Sequence, residues 1–273
     1  SYEIPGRHEV AKIPGLKRGV FMKNVSVIFL GVTFGLTYIF LGVLALTELS
    51  VESTVGSVFL FVGGSAPTIV AFVMVHRGAE RFKKRFYHHL GRFKVNPWWF
   101  AFVILVPLIL GTGAAVVAGR FAFEVETLWL IPLFVLNGIL FGGLEEVGWR
   151  GFLQEKAGRH HILLFGVVFG IVWGVWHLPM FYVEGLSHYE YAFLPFLLQG
   201  IVLSLFITWV YAHTRSLPLV VLFHAMINTT AALGLTLDYS HAFETYLYLG
   251  VALAITCLFI LKANTKMASK MNA

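Results

Sequence analysis

Two adjacent carboxylates and a guanidinium interrupt an apolar stretch in 138-GILFGGLEEVGWRGFLQ-154. On a helix, Glu146 and Arg150 stand one turn apart with the acid N-terminal, the favourable order for an ion pair. Glu145 points about 100° away from Glu146, because a helix turns once in 3.6 residues. One acid can therefore be neutralised by Arg150 while the other faces a cavity. Taken alone, the trio reads equally well as a salt bridge at a helix end, which is common and worth little.

Two histidines add to the set. His177 lies in 169-FGIVWGVWHLPMFY-182, with Phe169 and Trp173 on its helix face and Trp176 and Met180 beside it. Pro179 removes a backbone donor, so a carbonyl one turn back needs another partner, and a kink here opens polar space. His224 and Asn228, in 217-LPLVVLFHAMINTT-230, also share a face, and Pro218 suits the first turn of that helix. Each has a bland alternative. A histidine among aromatics is more often a hydrogen-bonded core residue, and His or Asn can join helices for about 1 kcal/mol each. Asn137 reads as such helix glue. His188 reads as a solvated residue of an outer loop.

Ionisable groups at membrane depth are costly and mark pathways or sites. Together these residues make a set for hydrolysis. A carboxylate takes a proton from water, a histidine positions that water, and a second histidine with an asparagine donates to a tetrahedral oxyanion. No GxSxG nucleophile motif occurs. The single cysteine, Cys257, allows no internal disulfide and reads as an inert buried thiol. Two histidines and a glutamate are conceivable zinc ligands. No HExxH helix is present, which counts against a metal without closing the question on these residues; no cofactor is expected.

The elements that must position these groups are membrane helices. Of the 273 residues, 58% are hydrophobic and 12% charged, against about 25% charged in soluble domains, and mean hydropathy is +0.79. No sustained period-two alternation suggests a β-barrel. The expectation is all-α: eight transmembrane helices around a polar, cytoplasm-facing cavity. The spans fall near 24–47, 54–76, 97–119, 128–149, 162–183, 191–212, 217–236 and 243–262, each close to the length that crosses about 30 Å. The sixth and seventh are separated by so short a turn that one could be re-entrant. An arm (1–23), one catalytic domain (24–262, core 128–235) and a tail (263–273) complete the layout.

Net charge is +6 and pI about 9.4. Lys and Arg gather in alternate connections: Arg7, Lys12, Lys17, Arg18 and Lys23; 77–94; Arg150, Lys156 and Arg159; Arg215; and Lys262, Lys266 and Lys270. The others hold Glu48, Glu52, Glu124, Glu126, Glu184, Glu190, Asp238 and Glu244, with Arg120 the exception. The charge rule then puts both termini in the cytoplasm. The basic run 77–94 reads as a topology signal that touches anionic lipid headgroups, with no nucleic-acid partner expected.

Glu145-Glu146-x-x-x-Arg150, Trp173-x-x-x-His177 and His224-x-x-x-Asn228 resemble, in order and spacing, the EExxxR, FxxxH and HxxxN motifs of the CAAX protease and bacteriocin-processing family of intramembrane peptidases. The closer likeness is to its Ras-converting-enzyme type, which removes the last three residues of prenylated CAAX proteins. The resemblance covers about 128–235. It implies that Glu145 activates water held by His177, that Glu146 pairs with Arg150, and that His224 and Asn228 form an oxyanion hole, without a metal. Trp173 replaces the family's Phe and keeps an aromatic wall. The expected activity is an endopeptidase acting near the cytoplasmic face through a water-filled funnel open to that side. Its substrate is a peptide or protein: a prenylated C-terminus, a leader peptide or a peptide precursor. The rival readings are a non-catalytic scaffold or bacteriocin-immunity protein of the same fold, and a proton-coupled transporter, against which the absence of a repeat argues mildly.

Overall fold

Where lipid is as apolar as any side chain, small residues that let backbones approach decide how helices pack. The computed structural model describes residues 18–47, 49–119, 121, 125–157, 162–237, 239 and 243–271. All regular structure among them is helical. The chain runs through α1 (Arg18–Leu46), α2 (Thr54–Gly64), α3 (Ala66–His76), α4 (Glu80–Leu90) and α5 (Trp98–Val117). A long broken segment follows. It comprises a 3-10 turn (Val125–Leu130), α6 (Ile131–Gly138), a π turn (Ile139–Gly143), α7 (Glu145–Gly148), a second π turn (Trp149–Gln154) and α8 (Glu155–Ala157). Then come α9 (Ile162–Trp176), 3-10 turns at Leu178–Tyr182 and Ser187–Glu190, α10 (Phe193–Thr214), α11 (Leu217–Ala232) and α12 (Phe243–Met271).

The expected eight crossings become five unbroken ones, or seven if each bent pair is one span. The α2–α3 pair bends by 55° and the 127–154 segment by 41°. The expected span 217–236 is instead the 16-residue α11, about 24 Å long and too short to cross unaided. The central column is α10, with 72% of its apolar window buried against 22% for α5 and α12. The outer helices turn residues such as Ile39, Ile109, Leu164 and Ile255 outward, as a lipid-facing surface requires.

A glycine stripe seats α9 on this column. A Cβ at Gly166 would lie 2.7 Å from Leu205, one at Gly170 2.6 Å from the Ile201 Cα, and one at Gly174 2.5 Å from Leu197.

Contacts between connections define two ends of the bundle. At one, Glu155 binds Arg215 and Arg85 (3.2 Å), and Ser216 donates to the Arg92 carbonyl at 2.6 Å. At the other, Ala192 N–H donates to the Tyr239 carbonyl at 3.2 Å, the Tyr191 and Tyr239 rings stack at 4.1 Å, and Gly185 abuts Val51. Arg77, Arg81, Lys84, Arg92 and Lys94 are exposed toward the first end. Glu52, Glu184, Glu190 and Glu244 are exposed at the second, whose described connections hold no Lys or Arg. Arg7, Lys12, Lys17, Glu48, Arg120, Glu124, Arg159 and Asp238 lie outside the described residues.

Candidate active site

The two glutamates are clamped between α3 and α11 by glycines that admit no side chain. A Cβ on Gly138 would lie 2.7 Å from the Ala225 carbonyl oxygen, and one on Gly143 2.8 Å from that of Val221. On the opposite flank, a Cβ on Gly148 would lie 2.2 Å from the Pro67 carbonyl oxygen. The helix breaks between these contacts. Phe141 leaves helical geometry (φ −107°, ψ 26°), and the Thr68 hydroxyl donates to the carbonyl of Leu144. Two π turns flank the acids, a rare distortion that gathers at functional sites.

Arg150 takes Glu146 and leaves Glu145, the division that their angular offset allows. Arg150 Nε is 2.9 Å from Glu146 Oε2, and its guanidinium lies 4.1 Å over the Phe169 ring. The other oxygen of Glu146 is 2.9 Å from His224 Nδ1. Glu145 Oε2 accepts the indole N–H of Trp173 at 3.1 Å. All of these acids and bases are buried: Glu145, His177 and His224 are 5% exposed, Glu146 and Arg150 1%.

His177 ends α9, and its Nδ1 lies 2.8 Å from the Trp173 carbonyl oxygen. A carbonyl only accepts, so the ring proton sits on Nδ1 and Nε2 presents its lone pair. The carbonyl that Pro179 strands one turn back is that of Val175, and Tyr38 donates its hydroxyl to it at 2.7 Å. Beyond Trp176 the chain tightens into the 3-10 turn at Leu178–Tyr182, as Pro179 dictates.

One cavity of about 200 Å³ is lined by Glu145, Glu146, Arg150, His177, His224 and Asn228. The structure thus brings all six sequence-derived candidates together. His224 and Asn228 project at the first π turn, where a Cβ on Gly142 would meet Asn228 Nδ2 at 2.3 Å and His224 Nε2 at 2.9 Å. Asn137 lies apart, exposed on the wall of a second, mostly apolar cavity of about 470 Å³ that also reaches Glu145. Among the described residues, no three His, Cys, Asp or Glu side chains are grouped to hold a metal ion.

Sequence reasoning missed two members of the site. Trp173 appeared only as an aromatic wall, although its indole N–H is the hydrogen-bond partner of Glu145. His188, read as a solvated loop residue, lines both cavities and stacks on His177 at 5.6 Å. Burial holds its pKa down at about 4, so it is neutral at pH 7. Its one sequence signal is an imidazole eleven residues after His177, with aromatic neighbours.

The family model for "Type II CAAX prenyl endopeptidase Rce1-like" proteins matches residues 127–230. A protein of Methanococcus maripaludis named CAAX prenyl protease 2 is 29% identical over 258 residues, covering 85% of this chain and 93% of that relative. The matched segment contains all three motifs and every candidate residue.

Proposed function

We propose, from the premise that the chain belongs to the Rce1-like family of CAAX prenyl endopeptidases, that it is an intramembrane endopeptidase in which Glu145 activates the attacking water. The observation that carries this reading is the division of labour between the acids. Glu146 is occupied by Arg150 and His224, whereas Glu145 makes no ion pair among the described residues, accepts the neutral indole N–H of Trp173 and lines the cavity beside His177.

Water held between Glu145 and the Nε2 lone pair of His177 attacks the scissile carbonyl carbon as Glu145 takes its proton. The carbonyl π bond becomes an oxyanion. Asn228 Nδ2–H donates to it, and so does His224 Nε2–H when Glu146 holds the ring in its imidazolium form. Collapse breaks the C–N bond, and Glu145 returns the proton to the leaving amine. Pre-aimed donors in a dry site supply the main electrostatic stabilisation of such an intermediate.

The substrate class is a CAAX-type prenylated C-terminus. The apolar cavity beside Glu145, lined by Leu60, Phe61, Leu140, Phe141 and Met180, suits an apolar chain attached next to the scissile bond. The domain layout is an arm to residue 23, a catalytic domain and a tail from 263, with both termini on the face of the basic loops and the basic α4 against anionic headgroups.

The test is incubation of the purified protein with a farnesylated CAAX peptide and its unmodified twin, read by mass spectrometry with and without a chelator. The expected result is loss of the last three residues from the farnesylated peptide, unaffected by the chelator. Zinc-restorable loss of activity under chelation would overturn the metal-free mechanism. Absence of cleavage in both peptides would overturn the assignment.

A further inference from the structure

The cavity that holds Glu145 does not reach the basic end of the bundle. Its wall residues on α5 are Pro107, Leu110 and Gly111, at the middle of that helix and up to one turn past it, away from the basic connection before Trp98. On α10 they run from Phe196 to Ile207, starting near the acidic end, passing the middle of the helix and stopping short of its last turns before Arg215. On α11 they run from His224 to Ala231, the half that ends there. Apart from the broken helix that carries the glutamates and the end of α9 with its following turn, the remaining wall comes from the acidic-end connections: Ser187, His188, Tyr191, Leu235, Thr236 and Tyr239. The second cavity repeats the pattern, with Val51, Ser57 and Leu186 to His188 in its wall.

The opposite end is closed below the site. Gln154 is buried and donates to the Thr208 carbonyl at 2.9 Å. Beneath it, Glu155 gathers Arg85, Arg215, His89 (3.9 Å) and the Tyr211 hydroxyl (3.5 Å). Along the broken helix itself, no residue beyond Arg150 lines either cavity.

We infer that peptide enters the site from the membrane face opposite the one that carries the basic loops, through a mouth framed by residues 186–191 and by Leu235, Thr236 and Tyr239. This rests on the peptidase reading for what enters, and on the cavity walls for the route. It separates two expectations that the sequence joined. The basic loops and the mouth of the cavity cannot both face the cytoplasm.

The experiment uses full-length protein in intact cells and in inverted vesicles, with Cys257→Ala removing the native thiol and Glu145→Gln preventing turnover. Ser187→Cys reports on the mouth, Glu190→Cys on the same connection outside the cavity wall, and Lys84→Cys on the basic face. Each is probed with a membrane-impermeant sulfonated maleimide, with and without the farnesylated CAAX peptide. The expected result is that Ser187→Cys and Glu190→Cys label from one side and Lys84→Cys from the other, with peptide protecting Ser187→Cys alone. Labelling of Ser187→Cys from the same side as Lys84→Cys, or from neither side, overturns the route. Opposite-side labelling without protection leaves the route standing and counts against the peptide assignment instead.

Discussion

A single methyl group at Gly142 tests whether the amide of Asn228 and the ring of His224 take part in turnover. The alanine Cβ would sit 2.3 Å from Asn228 Nδ2 and 2.9 Å from His224 Nε2, where ordinary contact begins at 3.4 Å. Gly142 has no positive φ, so the backbone accepts alanine without strain. The clash is relieved by retreat of the Asn228 amide by about 1 Å, a misplacement that lowers turnover about 100-fold when the displaced group positions or stabilises the reacting centre. Overpacking of this kind costs about 1–3 kcal/mol, so the protein still folds. Gly35→Ala is the matched control, because nothing lies within 4 Å of its added Cβ. The assay is kcat on the farnesylated peptide in nanodiscs, alongside thermal unfolding. A folded Gly142→Ala protein with the kcat of the Gly35→Ala control would refute the assignment of His224 and Asn228 to the oxyanion.

Further outcomes follow from the same geometry. Trp173→Phe restores the family's usual aromatic but removes the indole N–H from Glu145; kcat falls about tenfold with little change in KM, the loss expected for one hydrogen bond to a charged group. Glu155→Gln strips Arg215 and Arg85 of their carboxylate; thermal unfolding drops by the equivalent of about 2 kcal/mol while the peptide is still cleaved. His89 sits outside the spans, and burial lowers its pKa from 6.5 to about 4, with Glu155 partly opposing that shift. Its unfolded form takes up a proton before the folded one, so its contribution to stability is full above pH 6.5 and is lost as pH falls toward 4. His89→Gln therefore flattens the dependence of unfolding temperature on pH across that window, and an unchanged slope would show that His89 does not titrate as described.

The helical class and the three motif-bearing helices are legible in the sequence because apolar runs and i, i+4 spacing report directly on membrane length and helix face. The allocation of Arg150 to Glu146 rather than Glu145 is legible for the same reason. The break between them is not. 138-GILFGG-143 reads as unbroken apolar helix, and only the approach of the Ala225 and Val221 carbonyls explains why its glycines are bare and why the helix bends there. Counting spans fails at α11, where 217–236 has the hydropathy of a crossing but its helix stops at Ala232 and the chain turns back toward Tyr239. Trp173 and Asn137 were misjudged in opposite senses. An indole counts as apolar bulk until its N–H finds a carboxylate, and an asparagine counts as glue until it is found exposed on a cavity wall. The side on which the cavity opens depends on which halves of α5, α10 and α11 face one another, and no single-helix pattern encodes that.

The central claim is that Glu145, and not its neighbour, removes the proton from the attacking water. Glu145→Gln keeps the size of the side chain and an oxygen for the Trp173 indole while removing the base. With the farnesylated peptide under single-turnover conditions, cleavage should slow by about 10³-fold, the usual contribution of a positioned general base, with an unchanged unfolding temperature. Cleavage at the wild-type rate by that folded variant would contradict the account.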